Sequence, residues 1–304
     1  MSISFRPLAL VLTVLTCLAL TPLLGSGQGR ESRDWKRLRA GDLTILGNAG
    51  SAELQRAATT IEQFRSTLGK VYPGMKLSFS VPTVLVVFKN EADFARFKPR
   101  DERGRIQQNV GGYFVPTSDV AYLVVPASDS REAADYRVLF HEYAHALLHL
   151  NLRRLPAWVD EGMAEFYSTF EGDFRDGKSL IGRPPFERLQ DLRGRALLPL
   201  SQLLTSEGAY KFTRDRVTVG TFYAQSWALV HYLQVGDGGK RQGQLTRYLT
   251  MLEEGRPISE AFQGAFETTF DALQRELQSY VSRSTFQAAL VDPGTTVLLN
   301  AVEP

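Results

Sequence analysis

The residues with the clearest capacity for chemistry are His141-Glu142-Tyr143-Ala144-His145, an H-E-x-x-H pentad inside a stretch of helical periodicity. Helical spacing puts side chains four apart on one face, so both imidazoles can reach one ion. Neutral imidazole nitrogens suit zinc, and an acid beside the first histidine sits near such an ion without binding it. Glu142 is thereby placed to take a proton from a water held there. Two buried structural histidines would produce the same letters, and the pentad arises by chance in roughly 1 in 100 chains of this size. A third ligand therefore decides, because a catalytic zinc needs three protein ligands and one open position. His149 lies a further turn along, but a drift of about 40° per four residues carries it off the metal-facing edge. It reads as structural.

A second helical segment follows at once: Pro156-Ala-Trp158-Val-Asp-Glu161-Gly162-Met-Ala164-Glu165-Phe166-Tyr167, with Pro156 in its first turn. The short turn from Asn151 to Leu155 folds it back on the first helix and brings Glu161 toward the two histidines. Glu161 and Glu165 share a face beside Trp158 and Phe166, and carboxylates on a largely apolar helix are costly unless they bind something. Glu165 reads equally as a solvated helix carboxylate. Other hydrolytic chemistries lack their residues. Cys17 is the only cysteine and lies in the N-terminal leader, and no G-x-S-x-G elbow occurs.

Together these segments resemble the gluzincin metallopeptidases, the superfamily of thermolysin and the zinc aminopeptidases, in which H-E-x-x-H is followed by a helix whose acid is the third ligand. The second motif is similar to the P-x-W-x-x-E-G-x-A-E of the peptidase-MA-like branch, here Pro156, Trp158, Glu161, Gly162, Ala164 and Glu165. The resemblance implies that His141, His145 and Glu161 hold one Zn²⁺, and that Glu165, one turn on, holds His141 in its ligand tautomer. It also implies that a downstream Tyr or His donates a hydrogen bond to the tetrahedral oxyanion. Tyr223 is the candidate and His231 the reserve, although Phe222, Trp227, Leu229, Val230 and Leu233 around them equally form the stripe of a packed helix. The segment from Ala261-Phe262 to Tyr280-Val281 resembles the family's closing helices. Zincins lay an extended substrate along an edge strand, and Val120–Val125 is the natural candidate. Where the aminopeptidases carry Gly-x-Met-Glu-Asn, Gly111-Gly112-Tyr113-Phe114-Val115 holds no acid, so capture of a substrate amine is not implied.

The elements that must position these residues fall in two halves. Leu43–Leu46 reads as a short strand, and Ser51 as the N-cap of a helix from Glu53 to Leu68. Thr83–Phe88 is a continuous apolar run, hence a buried central strand, and Asn90 caps a short helix through Phe97. Val120–Val125 is a further strand. From Arg131 the periodicity turns helical, with helices at about 132–150, 156–170, 222–235, 241–253 and 258–283. Between Gly172 and Leu200 lies a Gly-, Pro- and charge-rich loop long enough to be a flap or an insertion. The expected fold is α+β and zincin-like: signal peptide 1–27, a mixed α/β layer 28–130, an α-rich zinc-site and helical part 131–285, and a tail 286–304.

Composition agrees with a folded enzyme: 304 residues, 43% apolar and 22% charged. A net charge of +2 from nearly balanced acids and bases leaves no footprint for nucleic acid. Arg6 precedes the apolar run Leu8–Leu20, Pro22 breaks it and Gly25-Ser26-Gly27 supplies a cleavage site, so export to a periplasmic or extracellular space is expected. An uncleaved anchor over Leu8–Leu24, with peripheral membrane association, is the alternative. The expected function is hydrolysis of peptide or protein substrates with Glu142 as general base. The other readings are a non-catalytic zinc-site domain binding peptide or cell-wall partners, and a zinc hydrolase of non-peptide amides.

Overall fold

The computed structural model describes residues 35–101, 103–108, 110–127, 136–172, 176–193, 195–205, 216–292 and 296–301; the expected leader lies outside them. Strand β1 (Lys36–Ala40) turns at Gly41, whose φ of +57° favours glycine, into β2 (Leu43–Gly47). Leu43 and Ile45 alternate inward as a half-buried strand requires. Helix α1 (Ser51–Val71) crosses over to β3 (Thr83–Phe88), which pairs parallel to β2. Its N-cap is Gly50 rather than Ser51. Asn90 caps α2 (Glu91–Ala95) as expected, its side chain accepting from the Asp93 N–H at 2.9 Å.

Strands β4 (Tyr113–Pro116) and β5 (Ala121–Pro126) complete a five-stranded mixed sheet of order β1-β2-β3-β5-β4. The Val120–Val125 run is therefore no edge. It pairs parallel with β3 on one side and antiparallel with β4 on the other, which is why it is so uniformly apolar. The edge beside β5 is β4, and the other edge is β1.

The α-rich part follows: α3 (Arg137–Asn151), α4 (Ala157–Ser168), β6 (Glu171–Gly172), β7 (Ser179–Ile181), α5 (Phe186–Leu192), α6 (Leu200–Thr205), α7 (Arg216–Val235), a 3₁₀ turn at Gly236–Gly239, α8 (Gln244–Glu253), α9 (Ile258–Phe266), α10 (Phe270–Val281), β8 (Phe286–Val291) and β9 (Thr296–Ala301). Three expectations change here. The single helix over 258–283 is two, because Glu267 takes a left-handed φ of +52° and Thr269 recaps the chain by accepting from the Ala272 N–H. The stretch expected as a flap, 172–200, carries β7 and α5. The stretch expected as a tail, 286–304, carries β8 and β9, and β6-β7-β8-β9 form a second sheet.

The fold is α+β, and its two parts share one core within a single compact unit. Phe64 of α1 packs on Phe140, Tyr143, Tyr167 and Phe170, which clamps α3 and α4 against the helical layer of the sheet. Among the described residues no helix is long and apolar enough to cross a membrane.

Candidate metal centre

Helix α3 divides its faces sharply. Leu139, Phe140, Tyr143, Ala144 and Leu147 are buried in the core, whereas His141, Glu142 and His145 lie on a half-open face toward α4. The His141 and His145 Nε2 atoms stand 3.1 Å apart. Glu161 of α4 brings Oε2 to 3.5 Å from His145 Nε2 and 3.7 Å from His141 Nε2. These three separations are close to the edge of a tetrahedron about an ion at 2.0–2.2 Å from each ligand, about 3.3–3.5 Å. Glu161 Oε2 is itself buried without a hydrogen-bond partner. An orphaned carboxylate oxygen facing two imidazole nitrogens is the donor set that zinc takes, with the fourth position left for water or substrate. The three residues fit the ion.

One carboxylate with a clear positioning role was not singled out in the sequence. Asp160 Oδ1 lies 2.5 Å from His145 Nδ1, and its Oδ2 lies 2.9 Å from His149 Nε2. Accepting the Nδ1 proton leaves the His145 Nε2 lone pair pointing at the centre, which fixes the ligand tautomer. The available signal was an acid directly preceding Glu161 on a helix that must pack against the histidines. His149 is accordingly a surface partner of Asp160, as its drift around α3 predicts.

Glu165 is placed differently from its expected role. Its Oε1 is 3.9 Å from His141 Nδ1, too far for a hydrogen bond, and 2.5 Å from Arg188 Nη2 of α5. It is a buried carboxylate paired with a guanidinium, which meets the cost of burying either charge alone.

The electrostatics favour a cation between the ligands. Burial and the His145 charge push His141 down to about 4. Burial also works against the His145 imidazolium, but the hydrogen bond it donates to Asp160 and the charges of Asp160 and Glu161 outweigh it and lift the group to about 10. Asp160 is opposed by burial yet held down to about 2 by His145 and His149. The pocket thus stabilises positive charge at His145, where a divalent ion would replace the proton. Burial raises Glu142 to about 7, against a hydrogen bond from the Phe114 backbone of β4. A carboxyl near neutrality can both take and return a proton.

The two oxyanion candidates separate. The Tyr223 hydroxyl on α7 is half-buried and raised in pKa, first by burial and then by Glu161, and its ring faces the Arg188 guanidinium at 5.2 Å. It belongs to the site. His231, one helix face away, is fully buried, with Nδ1 2.6 Å from the Tyr280 hydroxyl and Nε2 2.8 Å from the Gly182 carbonyl. Both nitrogens are used, so His231 is a core residue, neutral because burial pushes it down to about 4.

A family model described as a protein of unknown function, DUF1570, matches residues 138–259. The match runs from α3 to the start of α9 and contains every residue of this centre. No curated protein matches the chain.

Proposed function

We propose that the protein is a gluzincin-like zinc peptidase with a zincin-like fold, exported from the cytoplasm, in which His141, His145 and Glu161 hold one Zn²⁺ and Glu142 is the general base. The observation that carries this reading is the orphaned Glu161 Oε2 facing two Nε2 atoms at tetrahedral spacing, with an acid beside them, Glu142, that is in no ion pair among the described residues. When bound, zinc acidifies a water and polarises a carbonyl. Glu142 takes the proton from the attacking water and returns it to the leaving amine. Tyr223 donates from its hydroxyl to the developing oxyanion. The outer edge of β4 runs beside Glu142 through Phe114, so an extended peptide could add to that edge next to the residues that would hold the metal. An acid beside the ligands that is in no ion pair favours catalysis over a merely structural zinc site.

The deciding experiment is metal analysis with a peptide library. The purified chain should hold one zinc and cleave, a chelator should abolish cleavage and added Zn²⁺ should restore it. A chain that binds no zinc, or one that cleaves equally after chelation, defeats the reading. If zinc binds and peptides survive while small amides are hydrolysed, the substrate is a non-peptide amide.

Two narrower results are expected. Asp160→Asn should weaken zinc binding about 10–100-fold in competition with a chromophoric chelator, because the His145 tautomer is no longer fixed. Tyr223→Phe should lower kcat about 10²-fold with KM nearly unchanged. An unchanged kcat would remove Tyr223 from the reaction.

A further inference from the structure

We propose that the end of the mixed sheet marked by Trp35 and Phe97 is a docking surface for an anionic lipid bilayer. Both aromatics are exposed, Trp35 at 46% and Phe97 at 50%, and both rest on one residue at the end of β3, Phe88, at ring-centroid distances of 5.5 and 4.7 Å. They therefore form one projecting apolar pair rather than two scattered side chains. Solvent-facing Trp and Phe with a rim of cations is the composition that seats a protein in a lipid headgroup layer.

The cations are present and uncommitted. Arg37 and Arg39 share the strand face of Trp35 by alternation along β1, Arg96 precedes Phe97, and Lys89 follows Phe88. All four are exposed, and none has a carboxylate partner among the described residues. The nearby acids are engaged: Glu91 pairs with Lys98 and Asp93 accepts from the Asn48 amide. The face behind the pair is apolar and thinly covered. Leu46 and Val86, in register with Arg37, and Val84 and Tyr122, in register with Arg39, stay partly exposed; among the described residues the short α2 and Val110 of the following loop pack on this side.

The position of the patch in the chain names its occupant. Trp35 is the residue at which the chain arrives from the apolar run Leu8–Leu24, with only residues 25–34 between. Ten residues reach at most about 35 Å. Where that run is kept as the anchor rather than cleaved after Gly27, the Trp35 end of the sheet stays within this distance of the bilayer, and its unpaired cations find anionic headgroups there.

The three tryptophans make the test direct. Trp158 and Trp227 are fully buried, so Trp35 alone is open to solvent. The full chain is mixed with vesicles of phosphatidylglycerol and phosphatidylcholine whose acyl chains are brominated. Trp35 emission should shift to the blue, lose acrylamide quenching and be quenched by bromine, and should do none of these on pure phosphatidylcholine at the same salt. Arg37→Gln with Arg96→Gln should reduce partitioning of the patch roughly 25-fold at low salt, about fivefold per charge. If the chain sediments with the vesicles while Trp35 stays open to acrylamide, only the N-terminal run binds and the proposal fails. A blue shift without lipid, with a doubled mass in light scattering, would assign the patch to a second copy and overturn it equally.

Discussion

Glu142→Gln is expected to retain its full complement of zinc and to lose peptide cleavage by at least about 10²–10⁴-fold. The amide is nearly isosteric, and Glu142 is not among the atoms that converge on the metal position, so ligand geometry should survive. What the variant loses is the proton acceptor. Side by side with the wild type, two measurements suffice: zinc per chain by mass spectrometry, and initial rates on the best library peptide. A variant that cleaves as fast as the wild type would show that Glu142 is not the base. One that loses zinc would show that the acid is a ligand after all.

The second large effect concerns Gly162, the residue after Glu161, the proposed third ligand. A Cβ there would meet the Ser226 carbonyl oxygen at 2.5 Å, its carbon at 2.8 Å and Val230 Cγ2 at 2.6 Å. Two of these three atoms are backbone of α7, which cannot rotate away as a side chain can. Gly162→Ala should therefore push α4 off α7 and destabilise the fold by about 1–3 kcal/mol, lowering the Tm by several degrees. Because Glu161 rides on the displaced helix, zinc affinity should fall in the same variant. Thermal unfolding of the metal-free protein isolates the packing effect, and an unchanged Tm would mean that the helices do not approach as closely as described.

The centre was largely legible in the sequence because its residues lie in two adjacent helices. Spacing of four aligned His141 with His145, and a five-residue turn forced Glu161 back onto them. What escaped depended on partners distant in sequence. Asp160 could not be told from an ordinary first-turn acid until α4 was docked on α3. Glu165 could be assigned to His141 only while Arg188, carried by α5 in the supposed flap, was unseen. His231 and Tyr223 look alike on one apolar helix, and only Gly182 and Tyr280 decide that His231 faces the core.

Strands show the same limit. Thr83–Phe88 and Ala121–Pro126 announce themselves because both of their faces are covered. Lys36–Ala40 and Tyr113–Pro116 sit at the two edges, where polar residues and a preceding Gly111-Gly112 conceal them. The edge assignment mattered most, since it moved the expected peptide-binding strand from β5 to β4.

The second sheet has a consequence for the order in which the molecule can be made. Strand β7 precedes α5 and Arg188, yet its partner β8 comes only after α10. The intervening Gly182 carbonyl takes the N–H of His231, and Phe286 of β8 meets that same ring edge-on, with centroids 5.8 Å apart. A chain still being synthesised can pair α3 with α4 and gather His141, His145 and Glu161, while the wall behind them waits for β8. Such long-range pairing closes late. Cutting the chain after α10 should accordingly leave a species that binds zinc but cannot hold its α5 side in place.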